Sequence, residues 1–196
     1  MSFFKNIFKK SKENHKKPNK NTIKEESIDS VFVKNFIDRG GKFLYCTSLQ
    51  EVTEFLTHIV SENNHWDAVT CTDNDLHKLI GALPIKKIPI FSKTTPVFTC
   101  CEHLIAENGS ILFSSNQLSD IKLTDLSEDF IVYATTSQIV NNQSESLTGI
   151  NAHYRGNIPS NIGAVKNYNP QQKEVDFMNY GCNNAKNLYL ILFEDL

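Results

Sequence analysis

The sequence predicts an α/β fold: a largely parallel sheet with helices on both faces. Three observations carry that prediction. Short apolar runs alternate with segments of helical periodicity, about 10 to 15 residues each, the rhythm of strand–helix–strand units. The terminal run, NLYLILFED, is almost unbroken in its apolar character, as a strand covered on both faces requires. The composition, 40% hydrophobic and 21% charged over 196 residues, suits one globular domain of ordinary size.

The elements follow in order. VFVKNFIDRGG reads as a helix stopped by Gly40-Gly41, and KFLYC as the strand after it. In SLQEVTEFLTHIVSEN, Leu49, Val52, Phe55, Leu56, Ile59 and Val60 recur at helical spacing. Ser48 is placed to cap that helix, with Glu51 three residues on. WDAVTCT is a short strand, DNDLHKLIGAL a short helix and KIPIFS a strand. PVFTCCEHLIAEN has helical spacing, and GSILFSS follows as a strand. DFIVYATTSQIV is a long strand or a strand pair, KEVDFMNYGC a weak helix, and NLYLILFED the last strand. No internal repeat of the solenoid or propeller kind stands out.

Charge divides the chain in two. Met1 to Lys24 carries eight lysines and one acid, Glu13, which leaves 12 basic and 21 acidic side chains for the remainder. Residues 1–28 therefore read as a basic tail, in which Phe3, Phe4, Ile7 and Phe8 share one helical face ahead of a polar linker. That face suits a docking helix, or a weak contact with a membrane surface. Residues 29–196 read as the α/β domain. Its acidic balance makes it a poor nucleic-acid binder, because phosphate neutralisation needs a basic face. No run approaches a membrane span and no secretory signal is apparent. Five cysteines, Cys46, Cys71, Cys100, Cys101 and Cys182, have no repeating spacing and read as reduced thiols in a cytoplasmic protein.

Motifs for familiar chemistry are missing. There is no G-x-G-x-x-G and no P-loop, so no cofactor is expected, and neither a nucleophile elbow nor H-E-x-x-H occurs. CCEH, residues 100 to 103, gathers two thiols, a carboxylate and an imidazole. On a helix, residues one or two apart do not share a face, so these four need distant ligands to close on a metal. Buried cysteines beside an exposed Glu and His are the plainer reading, and no metal site is assigned.

LIAENGSILFSS, followed by LSEDFIVYATTSQIV, resembles the lactate-utilisation (LUD, LutC-like) family. In that family an I-A-E-T-G-T/S turn precedes a strand, and a second apolar strand follows a short loop. The terminal GCNNAKNLYLILFED is similar to the family's last segment, and the resemblance spans roughly residues 30 to 196. It implies a fold similar to the superfamily of sugar-phosphate isomerases, acyl-CoA transferases and formyltetrahydrofolate cyclo-ligases. It also implies a component of a lactate-oxidising system that works beside iron–sulfur oxidoreductase subunits. Two departures mark this chain as divergent. GNIPSNIGAVKN lacks the acidic pair the family usually carries before its last helix, and Asn183 stands where a His is usual.

The residues themselves point to a turn. Glu107 would sit at a strand-end mouth, where open α/β sheets bind ligands, and could act as general base or nucleophile. Asn108 and Gly109 allow positive φ, so that free N–H groups near Ser110 could hold a small organic anion. The alternative is a plain Asn-Gly turn with a solvated carboxylate. Arg155 is suited to a bidentate anion contact, or equally to a surface salt bridge. Ser160 and Asn183 join the ligand set only through the family match. Three functions follow: a LUD-like component with a small-anion site, a non-catalytic assembly or regulatory subunit, and an acyl-CoA transferase or hydrolase.

Overall fold

A computed structural model describes residues 26–81, 83–170 and 184–195. The basic stripe at the N-terminus, the weak helix KEVDFMNYGC, Cys182 and Asn183 lie outside the described residues.

From Ile28 to Leu79 the elements are as the sequence predicts. Helix α1 spans Ile28–Asp38 and strand β1 Lys42–Cys46. Helix α2 spans Leu49–Glu62; the Ser48 hydroxyl accepts from the Glu51 N–H, and the Glu51 carboxylate accepts from the Thr47 N–H at 2.7 Å. Ser48→Ala should therefore destabilise the protein by about 1 kcal/mol, read as a lower urea midpoint at unchanged slope. β2 (Ala68–Thr70) and α3 (Asn74–Leu79) follow; β3 (Lys86–Ile88) keeps only the first two residues of the expected strand KIPIFS and stops before Pro89, which has no N–H to give a ladder.

The next segment departs from expectation. PVFTCCEHLIAEN is not a helix but two strands, β4 (Val97–Thr99) and β5 (His103–Ile105). β6 (Ser110–Phe113) then closes a hairpin with β5, and a one-turn helix α4 (Ser115–Leu118) is held by a capping box between Ser114 and Gln117. DFIVYATTSQIV is a strand pair, β7 (Asp129–Thr135) and β8 (Ile139–Val140). A further helix, α5 (Gln143–Tyr154), fills a stretch to which the sequence assigns no element. β9 (Gly163–Val165) and β10 (Asn187–Phe193) complete the described elements.

Six strands form one wholly parallel sheet in the order β1-β10-β7-β4-β2-β3. Strand alternation divides its side chains. Phe130, Val132 and Ala134 of β7, with Leu188, Leu190 and Leu192 of β10, pack in one core with Phe32, Val33 and Phe36 of α1. Ile131, Tyr189 and Ile191 go to the other core, with Val52, Leu56 and Ile59 of α2 and Leu76 of α3. Both faces are buried, which is why β10 reads as a continuous apolar run.

Helix α1 shares its face of the sheet with a second, four-stranded sheet in the order β8-β5-β6-β9. Leu104, Ile111 and Phe113 point inward to the α1 core, while Ile105 and Leu112 point outward to Ile150 of α5. The covering on this side is thus a helix plus a small sheet with its own helix outside.

Candidate functional site

Ligands of open parallel sheets bind beyond the carboxyl ends of the strands. Here those ends are the segments after β2 and β4, and the chain leaving β4 crosses to the small sheet through Cys100, Cys101 and Glu102. Between them lies a cleft of about 330 Å³, lined by Thr72, Asp73, Asn74, Asp75, Thr99, Cys100, Asn116 and Gln117.

Glu102 organises the wall of this cleft. Its Oε1 accepts from Ser114 Oγ at 2.5 Å, Gln117 Nε2 at 3.0 Å and Asn116 Nδ2 at 3.2 Å. The Tyr154 hydroxyl, at the end of α5, donates to Oε2 at 3.1 Å. Burial, reinforced by the neighbouring carboxylate of Glu102, raises the Tyr154 pKa, so the phenol stays a donor. Opposite, Asp73 caps α3 through Oδ1, which accepts the N–H groups of Asp75 and Leu76 at 2.8 and 3.0 Å. Its Oδ2 faces the Cys100 thiol at 3.7 Å. Burial, and then the charge of Asp73, push Cys100 up to about 12, and burial drives Cys101 well above the ordinary thiol range. Both are therefore thiols rather than nucleophilic thiolates at neutral pH. No group of three or more metal-ligating side chains occurs among the described residues.

The residues singled out in the sequence are divided by the small sheet. Ile105 pairs with Ser110 and His103 with Leu112, so Glu107, Asn108, Gly109 and Ser110 form the turn at one end of the β5–β6 hairpin. Glu102 lies before β5, at the opposite end, about 15 Å away at the rise of a strand. Gly163 pairs with Phe113, which puts residues 155 to 162 at the Glu102 end; the Ser115 N–H donates to the Ser160 carbonyl at 2.9 Å. Arg155 and Ser160 therefore keep company with Glu102, not with Glu107.

At its own end, the turn is held by packing. Asn35 of α1 donates to the carbonyls of Ala106 and Glu107 at 2.8 and 3.2 Å, and the Tyr168 hydroxyl donates to the Gly109 carbonyl at 2.7 Å. The N–H groups of Ala106 and Glu107 go to Val140 and Asn141, and that of Ser110 to the Asn108 side chain at 3.0 Å. Those three are not free for an anion. The Glu107 carboxylate is exposed, whereas the Ser110 hydroxyl is fully buried with no hydrogen-bond partner among the described residues. Arg155 adopts φ 44° at the C-cap of α5 and is exposed, and Ser160 Oγ donates to Asp120 at 3.0 Å.

Glu102 escaped the sequence reading because a helical CCEH places it on a solvated face. The usable signal was local: Val97, Phe98 and Thr99 are β-formers just after Pro96, and a strand there turns the next carboxylate toward the sheet's edge.

The chain matches no family profile and no curated protein. Among solved structures it is similar to a DUF162 family protein from Deinococcus radiodurans. The TM-score is 0.61 at 13% identity, over 85% of this chain and 96% of that one. The fold is shared with a DUF162 protein. DUF162 corresponds to the LUD domain region, so the likeness agrees with the resemblance of LIAENGSILFSS at the level of architecture. No helix among the described residues is long and apolar enough to cross a membrane.

Proposed function

We propose that this chain is a LUD-like domain that binds a small polar molecule in the cleft at the ends of β2 and β4. The observation that carries this reading is the arrangement around Glu102: a half-buried carboxylate fixed by donors from two segments, residues 114–117 and the end of α5, beside an open, polar-lined cleft. Thr72 is exposed at the rim, so Thr72→Trp would obstruct the cleft without disturbing the core. In ligand-observed NMR with a library of polar metabolites, hits on the parent protein should lose their signal with the variant. Hits that bind both proteins equally would remove the cleft from consideration.

By resemblance the domain would serve lactate or related organic-acid oxidation beside iron–sulfur oxidoreductase subunits. A purely structural role in that assembly predicts that co-purification with such subunits fails when residues 1 to 10 are deleted.

A second reading keeps Glu107, Asn108, Gly109 and Ser110 as a small-anion site. The unpartnered Ser110 hydroxyl favours it, since a buried hydroxyl without a partner is costly. Lactate or pyruvate should then raise the melting temperature, and Glu107→Gln should abolish that rise; no rise with either anion counts against it. An acyl-CoA transferase or hydrolase at Glu107 would leave a glutamyl-CoA adduct visible by mass spectrometry.

A further inference from the structure

We infer that Glu102 sets the specificity of the strand-end cleft, by turning its donors inward and leaving acceptors to meet a ligand that carries an ammonium group. This rests on the cleft being the binding site, and follows from an account of where each polar group is spent. The amide nitrogens of Asn116 and Gln117 are drawn back onto Glu102 Oε1, at 3.2 and 3.0 Å. The Cys100 thiol points to Asp73. The Thr99 hydroxyl donates to the Cys100 carbonyl at 3.2 Å, and the Tyr154 hydroxyl donates to Glu102. The side-chain donors of Asn116, Gln117, Cys100 and Thr99 are thus consumed within the protein, which leaves the Thr72 hydroxyl and the Asn74 amide as the neutral donors of the lining.

The charged groups of the lining, Asp73 and Asp75, are both acceptors. With its nitrogen held by Glu102, Asn116 has its amide oxygen left for the cleft. Asp73 uses Oδ1 as a helix cap, and Oδ2 has only a long, weak thiol contact. Asp75 adds a second carboxylate to the lining, shared with Lys78 at 2.6 Å. Among the described residues, no lysine, arginine or histidine lines the cleft. A carboxylate or phosphate entering here would face lone pairs and negative charge, whereas an ammonium group brings three donors and a compensating charge. Glu102 acts through Asn116 and Gln117 and is a positioning residue.

The test uses the full chain, labelled with nitrogen-15, and two probes, putrescine and sodium lactate. Putrescine should shift the side-chain amide signals of Asn116 and the backbone signals of Asp73 and Asn74, and lactate should not. Asp73→Asn preserves the cap, since Asn caps as well as Asp, and should weaken putrescine about tenfold. Glu102→Gln supplies an amide that can hold the Asn116 oxygen and turn its nitrogen outward. That variant should narrow the preference for putrescine over lactate by about tenfold, a change that mere loosening of the wall would not produce. If lactate shifts the same cleft signals as strongly as putrescine, the ammonium inference falls while the cleft stands as a site. If neither probe moves any cleft signal, the cleft itself is wrong. An unchanged putrescine affinity in Asp73→Asn overturns the inference even where Glu102→Gln fails to fold.

Discussion

Replacing Lys186 by methionine should lower stability by about 3 kcal/mol, seen as a fall of about 6–12 °C in melting temperature. Lys186 is 3% exposed, just ahead of β10. Its ammonium donates to the carbonyls of Leu123 and Ser127 at 2.7 Å each and of Leu126 at 3.3 Å, and lies 5.2 Å from the centre of the Phe130 ring. Methionine fills similar volume but leaves three carbonyl contacts unmade in a dry place. The side chain thereby ties the 3₁₀ turn Leu123–Asp125 to the central strands β7 and β10.

Lys186 also gives a pH signature. Burial lowers its pKa to about 8, against the smaller opposing pull of Glu128 and Asp129. An unfolded lysine titrates near its ordinary value of 10.5, so between pH 8 and 10.5 the unfolded chain binds more protons than the folded one. Stability contributed by this residue therefore rises with pH through that window. The deficit of Lys186→Met relative to the parent should widen between pH 8 and 10 in urea melts. A gap that closes instead would mean the ammonium, not the amine, is the better-accommodated form.

How much of this was legible in the sequence depended on whether one face or two was buried. α2 was readable because its apolar stripe, Val52, Leu56 and Ile59, sits between exposed polar positions and begins at a true cap, Ser48. β10 was readable because it lies between β1 and β7, with apolar residues needed on both sides. The same double burial misled at β4 and β5. Val97, Phe98, Cys101, Leu104 and Ile105 are all buried, and such a run also satisfies helical spacing. α5 failed for the opposite reason. It buries only Ser146 and Ile150, and Gly149 faces the His103 ring, where an added Cβ would come to 3.1 Å of Nε2. A helix that small-residue contact positions, rather than an apolar stripe, carries almost no periodic signal.

Those two misreadings decided where the chemistry was sought. As a helix, residues 96–108 would carry Glu102 on the surface and Glu107 at the C-terminal end, beside a new strand. As two strands, the segment reverses the roles. Glu102 becomes the junction between the sheets, and Glu107 rides on a hairpin turn that α1 grips. The unrecognised α5 supplied Tyr154, without which Glu102 has no partner from the outer layer.

Gly109→Ala should be the most damaging single substitution in that hairpin, with a loss of about 2–5 kcal/mol. Gly109 has a φ of +65°. An L side chain in that region costs about 1–2 kcal/mol before any contact is considered. An added Cβ would also lie 2.5 Å from the Asn35 carbonyl carbon and from the Phe36 nitrogen. Those are backbone atoms of a helix whose Phe36 ring is packed into the main core. The helix must therefore shift, and overpacking adds a further penalty of about 1–3 kcal/mol. Asn108→Ala removes only the side-chain bond to the Ser110 N–H, and should lose about 1 kcal/mol. The contrast separates the two meanings of this turn. If Gly109 is there to let α1 approach, Gly109→Ala lowers the urea midpoint severely while Glu107→Gln leaves both midpoint and ligand response unchanged. If instead Gly109→Ala folds with near-parental stability and loses the response to lactate or pyruvate, its backbone is needed by an anion, and the turn returns as the site.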